Sequence, residues 1–215
     1  MVFATIENAL KVIASGGMVI VVDDEGRENE GDVVMAAEFA TTEALTFMVS
    51  RCRGIVCAPM PEPVARRLEL PLMVERNTDS MKTAFTVSVD LIAGITTGVS
   101  AAERALTLRA LSAPETKAES LARPGHIFPL IARQGGVEER AGHTEAAVDL
   151  AELAGLSPVG IICEILKDDG SMARRADLEI FARDNGLIII SIADLIAWKA
   201  RKSLQFQYVR PSLVA

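Results

Sequence analysis

The chain has 215 residues, of which 50% are hydrophobic and 24% are charged, and its formal net charge is −7. This amount of apolar material suffices for a sizeable core and excludes a disordered protein. An acidic chain with one Trp and one Tyr is poorly suited to bind nucleic acid, and no apolar stretch approaches the roughly 18 residues of a membrane helix, so we expect neither partner.

Apolar spacing and capping residues predict the elements of the first half of the chain. Thr5 caps a first helix that ends at a glycine pair, and a threonine pair caps a second helix that runs to about Arg51. Prolines precede a short helix through Leu68, and residues 71–82 form a loop. Apolar or alternating runs predict strands at residues 18–22, 33–37, 54–58 and 85–90.

The second half shows the same mixture of helices and strands. A capping box, Ser100-x-x-Glu103, opens a helix within residues 96–111, and Ser191-x-x-Asp194 caps the last helix, beyond which the tail from about residue 205 is irregular. Three further helices are expected within residues 115–125, 144–155 and 172–185. Three further strands are expected at residues 126–132, 159–166 and 187–191.

Helices and strands intermingle to the end of the chain, with no linker, repeat or low-complexity tract. This order predicts one α/β domain over residues 1–215 with a mixed sheet. The start of the chain has no basic region and carries Glu7, so it does not resemble a signal peptide. The three cysteines, at 52, 57 and 163, predict reduced thiols in a cytoplasmic protein.

An acidic segment at residues 23–32 is the first candidate site. Its carboxylates are Asp23, Asp24, Glu25, Glu28, Glu30 and Asp32, and Arg27 is its only cation. One interpretation is a solvated loop. The other is a site for a divalent cation with additional carboxylates for acid–base chemistry, because crowded carboxylates raise one another's pKa values.

The segment at residues 139–147 is the second candidate site. Gly142 and the following residues begin a helix, and the free N–H groups there, beside Arg140, suit a phosphate. The alternative is an ordinary helix with Thr144 as its cap and His143 on the surface.

Two single residues are further candidates. Glu164 lies in an apolar strand, where a carboxylate is costly unless it is paired, bound to a metal or protonated, or unless it lies at a strand end or on an exposed face. His126 begins a strand after Pro124-Gly125. A single histidine is more often a packing or surface residue, but this chain has only two.

The segments DDEGRENEGD, TTGVSAAERA, RPGHIFPL, RAGHTEAAVDL and GIICEIL with DGSMAR resemble, in order and spacing, the 3,4-dihydroxy-2-butanone 4-phosphate synthase family of riboflavin biosynthesis. The resemblance covers residues 6–203 and is to the single-function form, without a GTP cyclohydrolase II domain. It implies a lyase that converts D-ribulose 5-phosphate to L-3,4-dihydroxy-2-butanone 4-phosphate and formate. It also implies Mg²⁺ or Mn²⁺, two ions per site, and a three-layer α/β/α sandwich around a mixed parallel and antiparallel sheet, in a homodimer with shared active sites.

The resemblance also implies roles for individual residues. Glu28 and His143 would be the metal ligands, and His126 and Glu164 would be essential for catalysis. The residues expected to contact the substrate are Arg27, Glu28, Asp32, Arg140, Ala141, Gly142, His143, Thr144 and Glu164. In the expected reaction a base removes the proton at C3 to form an enediol, the C1 hydroxyl is lost, the skeleton rearranges, and C4 leaves as formate.

Two alternatives remain open from the sequence. One is another metal-dependent lyase or isomerase acting on a sugar phosphate, from which formate release distinguishes the expected reaction. The other is a non-catalytic domain that binds nucleotides or RNA, since a fold does not determine a function. The negative net charge and the scarcity of stacking aromatics argue against it.

Overall fold

The computed structural model describes residues 3–208, with side chains described up to residue 204. The helices in this part of the chain are α1 (Ile6–Ala14), α2 (Thr42–Phe47), α3 (Glu62–Arg67), α4 (Ala101–Ser112), α5 (His143–Leu153), α6 (Arg175–Asn185) and α7 (Ile192–Tyr208). The strands are β1 (Val19–Val22), β2 (Gly31–Ala36), β3 (Cys57–Pro61), β4 (Val89–Leu91), β5 (Leu121–Ala132), β6 (Gly160–Glu164) and β7 (Ile188–Ser191).

All these strands form one sheet, in the order β4-β5-β3-β6-β2-β1-β7. β1 and β7 are parallel, as are β3 and β5, whereas β2 is antiparallel to both β1 and β6. The predicted mixed sheet is therefore confirmed. β6 and β2 are neighbours in the middle of this sheet, and their pairing brings Asp32, at the end of the acidic segment, beside Glu164.

Helices cover both faces of the sheet. Alternate residues of β1 lie in two separate apolar cores, Val19 and Val21 in one and Ile20 and Val22 in the other, so the strand is apolar throughout. The first core is built with α1, α5 and α7, and the second with α2, α4 and α6. The predicted three-layer α/β/α sandwich is confirmed.

Most of the predicted caps form. Thr5 Oγ1 accepts a hydrogen bond from the Asn8 N–H at 3.3 Å, and Thr41 rather than Thr42 caps α2. Ser100 Oγ accepts from the Glu103 N–H at 3.2 Å. These local bonds satisfy backbone donors that the first turn of a helix leaves free, which is why short sequence patterns located these helix starts well.

Several predicted strand bounds are wrong. β2 begins at Gly31, so Asp32 lies in the strand and not in the loop. β3 begins at Cys57, three residues later than expected, because Arg53 has a left-handed φ of 70° that ends the preceding helical turn. Only the last part of the expected strand at 85–90 joins a regular strand, β4.

The prediction of a helix within residues 115–125 is also wrong. Only Ala118–Ser120 forms a single 3₁₀ turn, and β5 starts immediately afterwards. The Arg123 guanidinium donates to the carbonyls of Ala118, Leu121 and Leu68, and these contacts hold the segment extended. The tail was expected to be irregular from about residue 205, but α7 continues to Tyr208. The rest of the tail lies outside the described residues.

Over residues 3–208, no helix has both the length and the apolar character needed to cross a bilayer.

Candidate active site

A small cavity of about 160 Å³ lies where the acidic segment, β6 and the start of α5 meet. Its polar lining comes from Glu28, Glu30, Asp32, Thr83, His143, Thr144 and Glu164, and its apolar lining from Cys57, Phe85, Leu130 and Ile162. A larger cavity of about 400 Å³ also adjoins the acidic segment and is lined in part by Arg27, Ala141 and Glu30. The smaller cavity contains most of the candidate reactive side chains and is therefore the candidate active site.

The acidic segment folds around the buried carboxylate of Asp23. Asp23 Oδ2 accepts from Arg27 Nη1 at 2.9 Å and from the Glu28 N–H at 3.0 Å, and Oδ1 accepts from the Glu30 N–H at 2.9 Å. The Asp23 side chain is only 1% exposed. The interpretation as an ordinary solvated loop is therefore wrong for Asp23, whereas Asp24 and Glu25 are exposed.

Glu28 faces His143 across the cavity wall. Glu28 Oε2 lies 2.8 Å from Arg27 Nη1 and 3.4 Å from His143 Nδ1. His143 is 5% exposed, so its interpretation as a surface residue is wrong.

Three of these side chains form a possible metal site. One ligand atom from each of Asp23, Glu28 and His143 lies within 4.8 Å of the others. His143 Nε2 is buried and has no hydrogen-bond partner among the described residues. Two carboxylates and an imidazole with an unsatisfied nitrogen are a donor set that fits a divalent cation.

Burial and mutual charge shift the pKa values around the cavity. The hydrogen bond with His143 and the Arg27 charge lower the pKa of Glu28 to about 2, against the opposing effect of its partial burial. Burial raises the pKa of Asp32 to about 7. Burial alone would lower the pKa of His143, but the charges of Asp32, Glu28 and Asp23 raise it to about 9. The site therefore favours a positive charge at the His143 position.

Glu164 is the last residue of β6 and lies beside Asp32 of β2 in the strand register. Its Oε2 accepts a hydrogen bond from the Ile55 N–H at 2.7 Å. A Cβ at Gly54 would lie 2.4 Å from the same oxygen, so only glycine permits this close approach. Glu164 is thus at a strand end, as one alternative held, and it also lines the cavity.

The start of α5 leaves backbone donors open. Gly142 is the N-cap and supplies no side-chain cap, while Thr144 is buried within the first turn, so Thr144 is not the cap. Arg140 Nη1 lies 2.7 Å from Glu145 Oε2, and a Cβ at Gly142 would lie 2.4 Å from Arg140 Nη1. The glycine therefore lets the guanidinium pack against the helix start, next to N–H groups that have no intrahelical partner.

His126 lies apart from these groups. It is on β5, two strands from β6, with β3 between them, and it does not line the small cavity. Its side chain is 44% exposed, and its Nδ1 lies 2.6 Å from Asp90 Oδ2. Of the residues singled out in the sequence, Glu28, Asp32, His143, Thr144 and Glu164 therefore lie together, and Arg27, Arg140, Ala141 and Gly142 lie beside them.

Sequence reasoning missed several cavity residues. Thr83 and Phe85 come from a segment without a recognisable motif, and no sequence signal places them there. Cys57, which the sequence marked only as a reduced thiol, is buried and forms part of the cavity wall. Burial and the nearby Glu164 charge raise the pKa of the Cys57 thiol, which keeps it protonated.

Comparisons with known proteins identify the family of the chain. A profile of the 3,4-dihydroxy-2-butanone 4-phosphate synthase family matches residues 7–198. The 3,4-dihydroxy-2-butanone 4-phosphate synthase of Agrobacterium fabrum is 56% identical over 92% of this chain and 93% of its own length. The riboflavin biosynthesis protein RibBA of Salinispora arenicola is 52% identical over 96% of this chain, which spans only 49% of that longer relative.

A solved structure has the same fold. A crystal structure of 3,4-dihydroxy-2-butanone 4-phosphate synthase in complex with two magnesium ions is 42% identical to this chain and superimposes with a TM-score of 0.90, over 94% of this chain and 99% of the other. The profile match, the identities and this superposition establish that the chain is an enzyme that belongs to the 3,4-dihydroxy-2-butanone 4-phosphate synthase family.

Proposed function

We propose that this chain converts D-ribulose 5-phosphate to L-3,4-dihydroxy-2-butanone 4-phosphate, with release of formate, in riboflavin biosynthesis. The observation that carries the proposal is the small cavity, where a metal donor set, three further carboxylates and an open helix start meet. A phosphorylated polyol with a carbonyl group needs these three features together.

Glu28 and His143 hold Mg²⁺ in this proposal, with Mn²⁺ as the alternative ion and two ions per site. The donor set supports this part of the proposal, and the superimposed relative was solved with two magnesium ions. A divalent ion supplies polarisation of the substrate carbonyl and of its neighbouring hydroxyl groups.

The start of α5 binds the phosphate. The N–H groups of the first turn, from His143 onwards, lie next to the Arg140 guanidinium and favour a dianion. Arg27 and Asp32 contact the substrate from the acidic segment and β2.

The carboxylates and His126 move the protons. A base removes the proton at C3, an acid assists loss of the C1 hydroxyl as water, and a later addition of water releases C4 as formate, so that no net water is consumed. Asp32 and Glu164 lie side by side in the sheet and serve these transfers inside the cavity. His126 is the remaining essential group.

The distance of His126 from the cavity supports a homodimer with shared sites. Exposed apolar side chains occur both near the cavity and near His126. Ile55, whose N–H donates to Glu164, is 53% exposed. Ile92, which follows Asp90 in sequence, is 57% exposed, and Val99, which follows the Gly98 that covers Asp90, is 53% exposed. A second copy of the chain would cover them. In this arrangement the His126 of one subunit reaches the cavity of the other.

Mixing two inactive variants tests the shared site. His126→Ala and Glu164→Gln subunits are each expected to be inactive, but a mixed dimer would contain one site with both native groups. If subunits pair at random, about one quarter of the native activity should return on mixing. Activity that stays at the level of the separate variants, in a sample shown to contain mixed dimers, would contradict the shared site.

The cytoplasmic location is a further part of the proposal, and the three buried free thiols support it. The single domain over residues 1–215 stays a prediction.

Formate release tests the function. Purified protein is incubated with ribulose 5-phosphate and either Mg²⁺ or EDTA, and formate is measured with formate dehydrogenase. We expect formate only in the presence of the metal. Consumption of the substrate without formate would indicate another lyase or an isomerase, and tight RNA binding in a gel-shift assay at physiological salt would favour a binding domain.

A further inference from the structure

An irregularity in the pairing of β4 with β5 brings Asp90 to His126. Val89 pairs with Ile127, but Asp90 pairs with Ala122, so residues 123–126 of β5 bulge out of the ladder. Side chains replace the lost ladder bonds, since Ser88 Oγ accepts from the Gly125 N–H at 3.1 Å and Asp90 Oδ1 accepts from the His126 N–H at 2.9 Å.

The second oxygen of Asp90 contacts the His126 ring. Asp90 Oδ2 lies 2.6 Å from His126 Nδ1, and the Asp90 side chain is 10% exposed whereas that of His126 is 44% exposed. An ionised carboxylate can only accept hydrogen bonds, so Nδ1 carries the proton in this pair. The lone pair of the neutral ring is then on Nε2.

A glycine covers the pair. Gly98 has a φ of +85°, and a Cβ at this position would lie 2.0 Å from Asp90 Oδ2 and 2.9 Å from His126 Nδ1. The loop that carries Gly98 is held by Glu103, whose carboxylate accepts from the Gly98 N–H at 3.1 Å and from Thr96 Oγ1 at 2.6 Å. The carboxylate and ring are thus held between the bulge and this loop.

We propose that Asp90 is a positioning residue that fixes His126 in the tautomer with the proton on Nδ1, so that Nε2 is the nitrogen that accepts a proton from the substrate. This inference rests on the proposed function for the catalytic role of His126. Asp90 does not touch the substrate in this account. It acts through the orientation and tautomer of the ring.

Asp90→Asn separates this role from support of the bulge. The Asn carbonyl can still accept from the His126 N–H, but its NH₂ group faces Nδ1 and would force Nδ1 to become the acceptor. The ring then carries its proton on Nε2. We expect kcat to fall about 10³-fold to 10⁴-fold with KM changed less than about threefold, since the same Asp→Asn change in a serine protease triad lowers kcat about 10⁴-fold.

The tautomer can be measured without any activity assay. The chain has only two histidines, so ¹⁵N-histidine spectra contain two rings, and a His143→Gln sample assigns them. At a pH where the ring is neutral, we expect the His126 signals of the wild-type protein to be those of the tautomer with the proton on Nδ1. In Asp90→Asn we expect the signals of the tautomer with the proton on Nε2. Ser88→Ala is the matched control, because it removes the other acceptor at the bulge and should lower Tm but leave both tautomer and kcat unchanged within about twofold.

The outcomes are distinguishable. An Nε2–H tautomer in the wild-type protein would overturn the proposal, and this spectrum is informative even if Asp90→Asn does not fold. Native kcat in a folded Asp90→Asn variant would also overturn it. If the wild-type protein shows the expected tautomer but releases no formate, the proposed function fails while the Asp90–His126 geometry stands.

Discussion

Replacement of Glu164 by Gln is expected to lower kcat by about 10³-fold or more and to leave the fold intact. Glu164 is the carboxylate at the end of β6 that lines the cavity beside Asp32. Gln has nearly the same shape, and its carbonyl can keep the hydrogen bond from the Ile55 N–H that Glu164 Oε2 now accepts at 2.7 Å. What the variant loses is the capacity to take and return a proton.

Steady-state kinetics and thermal unfolding check this prediction together. We expect Tm to change little, because the hydrogen bond and the side-chain volume are retained. Glu62→Gln, which removes an exposed carboxylate from α3, is a control for loss of one negative charge and should have native kinetics. Near-normal turnover of Glu164→Gln would remove Glu164 from the mechanism.

Replacement of His143 by Ala is expected to weaken the binding of Mg²⁺ or Mn²⁺ by about 100-fold or more, because loss of a second-shell partner alone costs 10-fold to 100-fold. His143 is buried with Glu28 3.4 Å away, and its Nε2 has no partner among the described residues. The Ala variant removes the only nitrogen donor of the cluster and leaves carboxylates that repel one another.

Calorimetric titration with each metal ion measures this effect. His126→Ala is the matched control, because it removes the other histidine of the chain, which does not line the cavity of its own subunit and is not in the metal donor set. The control should bind metal with a dissociation constant within about threefold of the native value while its turnover is lost. A His143→Ala variant with an unchanged metal titration would contradict the ligand role.

Local patterns predicted much of the layered fold. Thr5, Ser100 and Ser191 begin helices at the expected places because a cap depends on bonds within a few residues. The run at residues 18–22 predicted a buried strand because both faces of β1 are covered. Predicted bounds failed where distant contacts decide them, as at Arg123, whose guanidinium donates to the carbonyl of Leu68 and holds the first residues of β5 extended.

The site was predictable in composition but not in arrangement. The acidic segment and the start of α5 carry the family resemblance that implies Glu28 and His143 as a pair of metal ligands, and the structure brings these two residues together. The sequence could not show that Asp23 organises the segment, because its bonds to the Glu28 and Glu30 N–H groups depend on how the loop closes. The Asp90–His126 contact was equally hidden, since it requires a bulge between two strands.

Carbon tracing from labelled substrate tests the central claim most directly. Ribulose 5-phosphate labelled with ¹³C at C4 is incubated with the Mg²⁺-loaded protein, and the products are followed by ¹³C NMR. The account predicts that all of the label released from the substrate appears as formate and that the four-carbon phosphate is unlabelled. Label that stays in a five-carbon phosphate, or that enters the four-carbon product, would contradict it.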